Sequence, residues 1–356
     1  MAVSSVNTLT RFNVFFESNS FSKLNAFLKK NKFSKLVVIA DNNTFELCYP
    51  ILAENCVAIQ SAEIIELESG EQHKTLDTCL LVWQTLSELQ IDKNALIINL
   101  GGGVITDLGG FIASIYKRGV SFIHIPTTLL AMADASVGGK CGVDLGNIKN
   151  QLGTITQASA VFIHPIFLNT LNARQLKNGM AEIIKMGLIA DKELLKTLKE
   201  KKSDLASVIK KSVSLKAAIV KKDPNDKGIR KILNFGHTIG HAVESALLGT
   251  KQELLHGEAI AIGMIVEGFI SFDKKRISKT ELTALLNLIH PHYLLLQFNK
   301  KQMQLIYSYI QQDKKNANKI IRMSLLKGLG NCTFNDEVTQ KDIEKAFVNY
   351  STFLAS

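Results

Sequence analysis

The run Ala95-Leu96-Ile97-Ile98-Asn99-Leu100 ends in Gly101-Gly102-Gly103 and passes directly into Val104-Ile105-Thr106-Asp107. A short apolar stretch with β-branched residues, stopped by glycine, is the pattern of a buried parallel strand meeting a loop. Three glycines admit a tight turn. They also let backbone amides approach a phosphate at the positive end of the helix that follows. The spacing is neither Gly-x-Gly-x-x-Gly nor a Walker sequence, which would require a Lys-Ser or Lys-Thr pair.

The same pattern recurs through the first half. Residues 36–40 form an apolar run ending in Asp41-Asn42-Asn43, residues 121–125 are stopped by Pro126, and residues 160–163 lead to Pro165. Residues 74–89 have helical periodicity, with Leu76, Cys79, Leu80, Trp83, Leu86 and Leu89 on one face. Strands alternating with helices predict a doubly wound, Rossmann-like α/β domain. Thr127-Thr128 and Ser136-Val137-Gly138-Gly139-Lys140 place small residues and hydroxyls at further strand ends, and three such loops favour a dinucleotide. Beyond residue 166 the strand signals nearly vanish. Helical patterns cover 173–189, 204–221, 238–248, 258–272 and 301–311, with at most a small strand at 319–325. The sequence therefore predicts a dinucleotide-binding α/β domain over 1–165 and an all-α domain over 166–356.

Composition narrows the class. The chain is 46% hydrophobic and 21% charged, which excludes disorder and a coiled coil. Its most apolar stretch, 259–270, is too short to span a bilayer and carries Glu267; with no signal-like N-terminus, a cytoplasmic protein without a membrane partner is expected. Five scattered cysteines without a Cys-x-x-Cys pair read as reduced thiols. The net charge of +10 comes with lysines at 199, 201, 202, 210, 211, 221 and 222 but no interleaved aromatics, so no nucleic-acid partner is expected. Such a field draws in phosphorylated and carboxylated metabolites instead.

A metal site is the second strong signal. Asn234-Phe235-Gly236-His237-Thr238-Ile239-Gly240-His241 lies between Met180-Ala181-Glu182-Ile183-Ile184-Lys185 and Leu255-His256-Gly257-Glu258. Residues four apart on a helix share a face, so His237 and His241 can point into one cavity. A catalytic zinc needs three protein ligands, which leaves one of these four groups for proton transfer. Lys140, Lys149, Asn150, Lys216, Arg230, Lys314 and Lys315 could hold anionic groups, and Arg230 is close enough to His237 in sequence to face the same cavity. A metal, a dinucleotide and a cationic pocket suggest redox chemistry at a hydroxyl of a phosphorylated acid.

Gly-Gly-Gly-Val-Ile-Thr-Asp, Pro-Thr-Thr-Leu-Leu-Ala, Ser-Val-Gly-Gly-Lys, Met-Ala-Glu-Ile-Ile-Lys, Leu-Asn-Phe-Gly-His-Thr-Ile-Gly-His and Leu-His-Gly-Glu, in this order, closely resemble the 3-dehydroquinate synthases of the shikimate pathway. The resemblance covers roughly residues 36–326. It implies an enzyme with catalytic, regenerated NAD and zinc, cobalt being a possible substitute. The substrate would be a phosphorylated heptulosonate, 3-deoxy-D-arabino-heptulosonate 7-phosphate. By matching positions, Glu182, His237 and His256 would hold zinc and His241 would assist proton transfer. Lys140, Lys185, Lys216, Arg230, Asn234, Lys149 and Asn150 would bind substrate, with Lys314 or Lys315 closing on it. Arg118 matches a residue that reaches the neighbouring subunit's phosphate, which implies a homodimer. NAD would lie on Asp41, Glu71, Lys74, Gly102, Gly103, Val104, Asp107, Thr127, Thr128, Lys140 and Lys149, with Phe167 to Thr170 and Gln175 completing the pocket.

Cys141, Asp144, Ile148 and His73 depart from the usual pattern, and none removes a proposed ligand. Asp144 adds negative charge near Lys140, which bears on how tightly an anionic substrate is held. The nearest alternative is another sugar phosphate cyclase, acting on sedoheptulose 7-phosphate. Valiolone-forming relatives tend to lose the second histidine of the Gly-His-x-x-x-His segment, so His241 and Asn234 weigh against it.

Overall fold

The computed structural model describes residues 13–16, 20–146, 148–200, 204–313 and 321–355, so Lys314 and Lys315 lie outside the described residues. The chain divides into two units, Met1–Leu176 and Lys177–Ser356. The division falls beyond Pro165, within the helix Ala173–Ala190.

The first unit contains β1 (Val14–Phe16), β2 (Leu36–Asp41), β3 (Glu63–Leu67), β4 (Leu96–Gly101), β5 (Ser121–Pro126), β6 (Lys140–Leu145), β7 (Ile148–Ile155) and β8 (Ala160–Ile163). Six of them form one sheet in the order β1-β8-β5-β4-β2-β3, every neighbouring pair parallel. The central strands are apolar along their length because helices cover both faces, which is why they read as continuous runs and not as alternation. From β2 the chain moves outward to β3, then returns to β4 on the other side of β2. Winding reverses there, and ligands of open α/β sheets bind at the carboxyl ends of such a strand pair. Those ends are Asp41 and Gly101, followed by the helices Asn42–Leu47 and Gly103–Ile115.

Three features of the strands in this unit were not expected from the sequence. β1 has only three residues. β3 is an edge strand in which Glu63 and Glu66 interrupt the apolar pattern. β6 and β7 make a separate antiparallel hairpin whose backbones touch at two glycines: a Cβ on Gly142 would lie 2.5 Å from the Leu152 carbonyl oxygen, and one on Gly153 2.5 Å from that of Cys141.

The second unit is helical, as expected, with one two-stranded addition. β9 (Ile321–Leu326) realises the small strand expected at 319–325, and β10 (Cys332–Val338) pairs with it antiparallel. The helix His256–Asp273 is buried from Gly257 through Ser271, as a helix surrounded by others must be. Around it pack His237–Leu247, Lys279–Ile289, Gln340–Ala355 and β9. The helix Gln340–Ala355, absent from the sequence expectations, starts at a reciprocal cap: Thr339 Oγ1 accepts from the Asp342 amide and Asp342 Oδ2 from the Thr339 amide. Among the described residues no helix is long and apolar enough to cross a membrane.

A polar pair sits inside the first unit. Asn99 on β4 and His124 on β5 are register partners, both buried, with Asn99 Nδ2 3.3 Å from His124 Nδ1. The helix Gly103–Ile115 closes over them at Gly109, where a Cβ would lie 2.0 Å from Asn99 Oδ1. Burial pushes the His124 pKa from 6.5 down to about 3, so the ring stays neutral. A depressed folded-state pKa contributes stability above the unfolded pKa, and that stability is lost as pH falls from about 6.5 towards about 3. The loss approaches one proton, about 1.4 kcal/mol per pH unit. Trp83, the chain's single tryptophan, donates to the Ile112 carbonyl and reports on this unit. Urea unfolding followed by its fluorescence should therefore show a shallower pH dependence below about pH 6 in His124→Gln than in the unmodified protein; equal slopes would remove His124 as the source.

Candidate active site

In the second unit three helices meet at backbone contacts that only glycine allows. Gly236, with φ 80°, precedes the helix His237–Leu247, and a Cβ there would lie 2.6 Å from Met264 Cγ. A Cβ on Gly263 would lie 1.9 Å from the Gly236 carbonyl oxygen, and one on Gly257 2.0 Å from the Asn178 carbonyl oxygen. The helices carrying Glu182, His237 and His256 are thereby held at backbone contact. The turn at Gly236 is also gripped by Glu267, a fully buried carboxylate that accepts from the Gly236 amide at 2.6 Å and the Ile239 amide at 3.2 Å. These amides belong to the positive end of a helix, where a carboxylate is favoured.

The side chains converge. His237 Nε2 and His256 Nε2 each lie 3.5 Å from Glu182 Oε1. The opposite ring nitrogens are engaged: His237 Nδ1 is 3.1 Å from the Phe235 carbonyl oxygen and His256 Nδ1 is 3.3 Å from Glu244 Oε2. Both Nδ1 atoms then carry a proton, and both Nε2 atoms face the carboxylate, where a metal would take their lone pairs. Glu182 Oε2 is held in an ion pair by Lys185, whereas Oε1, equally buried, has no hydrogen-bond partner. Burial works to raise the Glu182 pKa, but the Lys185 ammonium and the two imidazoles outweigh it and hold the carboxyl well below its usual range. Burial and the Lys185 charge likewise hold His237 well below the usual histidine value. For His256 burial acts downward, but the carboxylates of Glu182 and Glu244 push it up to about 10, so without a metal its ring holds both protons.

Two converging Nε2 atoms and a buried carboxylate oxygen without a hydrogen bond suit a zinc-sized cation, which would displace the His256 Nε2 proton. The ligand atoms of His237, His241 and His256 also lie within 4.8 Å of one another, so His241 and Glu182 compete for the third position. His241 is exposed whereas Glu182 is 1% exposed, which favours Glu182 as ligand and leaves His241 for proton transfer. Of the remaining candidates in this unit, Lys216 is buried in the helix Leu205–Lys222. Arg230 is buried in the turn Ile229–Asn234, donating to the Pro224 carbonyl with its amide on Asp223. Asn234 is exposed at the end of that turn.

In the first unit the expected cofactor residues gather at the ends of β2 and β4. Lys74 is 3% exposed and donates to Asp107 Oδ2 at 2.7 Å and Asn150 Oδ1 at 2.6 Å, with Glu71 3.9 Å away. Burial acts to lower its pKa, but Asp107 and Glu71 prevail, so it stays charged. Lys149 lies 3.8 Å from Glu71. Asp144, one of the departures, receives the Asn150 amide at 2.7 Å while its own amide donates to the Lys74 carbonyl. It supports the left-handed backbone of Asn150, φ 51°, and so ties the β6–β7 hairpin to Lys74.

Gly102 caps the helix Gly103–Ile115 with no side chain in the way, and Val104 sits half-buried in its first turn. The Thr127 amide donates to the Gly101 carbonyl, its hydroxyl is buried without a partner, and Thr128 Oγ1 receives the Ala131 amide. Asp41 Oδ1 caps the helix Asn42–Leu47 through the Thr44 amide at 2.8 Å. Phe167 is fully buried against Phe21, so it can meet a ligand only through its backbone, and its carbonyl accepts from Thr170 Oγ1. Gln175 is half-buried, its amide on Asn172 Oδ1. Lys140 is exposed at the start of β6. Arg118 is exposed on a turn in which Lys117, Arg118 and Gly119 all have positive φ.

Comparison with known proteins decides the family. Residues 64–178 match the model described as 3-dehydroquinate synthase N-terminal, and residues 179–316 its C-terminal counterpart. A curated 3-dehydroquinate synthase from Parabacteroides distasonis is 39% identical over 306 residues, 84% of this chain and 86% of that protein. The chain belongs to the 3-dehydroquinate synthase family. Among solved structures, a 2-epi-5-epi-valiolone synthase from Streptomyces hygroscopicus with NAD+ and Zn2+ bound superposes with TM-score 0.82 at 28% identity, covering 99% of both chains. A 2-deoxy-scyllo-inosose synthase complexed with carbaglucose-6-phosphate, NAD+ and Co2+ gives TM-score 0.83 at 26% identity, covering 95% of this chain and 96% of that one.

Family membership places the fold but not the groups that aim the ligands. Glu244, Glu267 and Asn178 were not picked out from the sequence. The first had a usable signal, since His237, His241 and Glu244 recur at i, i+4 and i+7. Glu267 showed only as a charge inside an apolar run. In Glu267→Gln one acceptor oxygen replaces two, and an amide N–H₂ is pressed against a backbone N–H. The variant should lose about 2–3 kcal/mol of stability in thermal unfolding followed by circular dichroism; an unchanged transition would show that the two amides do not depend on the carboxylate.

Proposed function

We propose that the chain converts 3-deoxy-D-arabino-heptulosonate 7-phosphate to 3-dehydroquinate and phosphate, as a cytoplasmic homodimer. The observation that carries the chemistry is the pair of Nε2 atoms turned on the buried Glu182 Oε1, which has no hydrogen-bond partner, with His241 exposed beside them. Glu182, His237 and His256 would hold zinc, and NAD would lie at the carboxyl ends of β2 and β4, with Gly102 and Gly103 offering their amides to its phosphates. Zinc would polarise the substrate's hydroxyls and NAD would take and return one hydride, while phosphate elimination and an intramolecular aldol closure follow in the substrate itself.

The chain's own work is placement and charge. Lys185 neutralises Glu182, so that the centre presents a net cationic face to an anionic substrate. His241, exposed beside the other two rings, moves a proton. Lys140, Lys149, Asn150, Lys216, Arg230 and Asn234 would bind the substrate's phosphate, carboxylate and hydroxyls. Arg118, presented on a left-handed turn, would reach the neighbouring subunit's phosphate. The five cysteines are free and buried, in keeping with a reducing compartment.

The cyclase of sedoheptulose 7-phosphate is the second reading, favoured by the likeness to a valiolone synthase along almost the whole chain. The higher identity to the P. distasonis relative favours the first. Phosphate release coupled through a dehydratase to dehydroshikimate absorbance separates them: product from the heptulosonate is expected, and turnover of sedoheptulose 7-phosphate alone would overturn the assignment. His237→Ala should lose both metal and turnover, whereas His241→Ala should keep zinc and lose turnover by about 10²–10⁴-fold. Equal metal loss in both would reverse the roles of ligand and base. Arg118→Ala and Lys140→Ala subunits, each inactive alone, should regain activity in mixed dimers; none in dimers shown to be mixed would remove the shared site.

A further inference from the structure

We infer that Glu244 is a positioning residue of the metal centre, acting through His256. The inference rests on the zinc reading above, and begins with how His256 is fixed. Its neighbours are pinned on both sides: the Leu255 amide donates to Glu258 Oε2 at 2.8 Å, and the Gly257 amide to Asn178 Oδ1 at 2.6 Å. With the backbone set, only the ring torsions remain. Glu244 Oε2, 3.3 Å from Nδ1, accepts a hydrogen bond from Nδ1–H and turns Nε2 towards Glu182.

Glu244 is 6% exposed and lies on the helix that carries His237 and His241, one further turn along the same face. One helical stripe thus supplies a ligand, a proton carrier and the carboxylate that orients a ligand from the next helix. The two imidazoles are not equivalent. His237 leans on a neutral carbonyl, Phe235 O, whereas His256 leans on a carboxylate. A carboxylate behind an imidazole fixes its tautomer and raises its donor strength, which makes His256 the stronger ligand of the two.

Zinc and cobalt titrations of the full-length protein against a competing chelator test this in the unmodified chain, Glu244→Gln, Glu244→Ala, His256→Ala and the His256→Ala/Glu244→Ala double variant. Glu244→Ala should weaken zinc by about 10–100-fold. Glu244→Gln keeps an acceptor but not the charge, so it should lose less, and its near-identical shape guards against misfolding. The visible bands of bound cobalt should move in both, which a purely structural role would not produce. In the His256→Ala background, Glu244→Ala should weaken the metal no further. Affinity unchanged within about twofold with unmoved cobalt bands, or the same loss repeated without His256, would overturn the inference. An unmodified protein that binds no zinc would instead overturn the metal reading on which it rests.

Discussion

A single buried carboxylate, Glu267, fixes the start of the helix on which the second unit's chemistry depends. It has no exposure to water, and its two oxygens take amides from the turn at Gly236 and the first turn of the helix. Burying a charge is costly unless hydrogen bonds replace its hydration, and a helix N-terminus supplies both donors and a favourable dipole. The carboxylate's own helix, His256–Asp273, carries the candidate ligand His256 at its first position. One contact therefore sets the phase of one ligand-bearing helix against the other. The grip extends further: Ser271 donates to the Glu267 carbonyl and accepts the Leu326 amide, joining β9 to the same helix.

Electrostatics then divides labour among groups that look alike in sequence. Glu182, Glu244 and Glu267 are all buried glutamates. Glu182 meets a lysine and two imidazoles, Glu244 an imidazole, and Glu267 two backbone amides. The histidines divide in the same manner, since exposure separates His241 from His237 and His256 although all three rings lie within 5.6 Å of one another. In the first unit Lys74 plays the comparable central part, one ammonium holding the helix Gly103–Ile115 through Asp107 and the β6–β7 hairpin through Asn150.

The sequence made the parallel sheet legible because buried central strands are short apolar runs ended by Asp41, Gly101 and Pro126. It hid β3, where Glu63 and Glu66 break the apolar run, and the β6–β7 hairpin, whose closeness rests on Gly142 and Gly153 and not on side-chain alternation. The convergence of His237, His241 and His256 was legible through their spacing, and the motifs carried the rest of the expected site. What spacing could not reveal was tautomer and orientation, because the acceptors behind the rings, Phe235 O and Glu244 Oε2, belong to tertiary structure. Asp144 was read as a charge near Lys140. Its observed contacts instead brace the backbone of Asn150, a role visible only once the hairpin folds.

The glycine contacts at Gly236, Gly257 and Gly263 also bear on how such a protein can diverge. Where Gly257 and Gly263 meet the carbonyl oxygens of Asn178 and Gly236 at these distances, even an added methyl group has nowhere to go. Helix spacing is thus closed to gradual change, and the separation of the groups on those helices is inherited as a fixed quantity. New specificity in this scaffold has to be written in the side chains between the glycines, so the architecture and the chemistry it hosts are free to evolve at different rates.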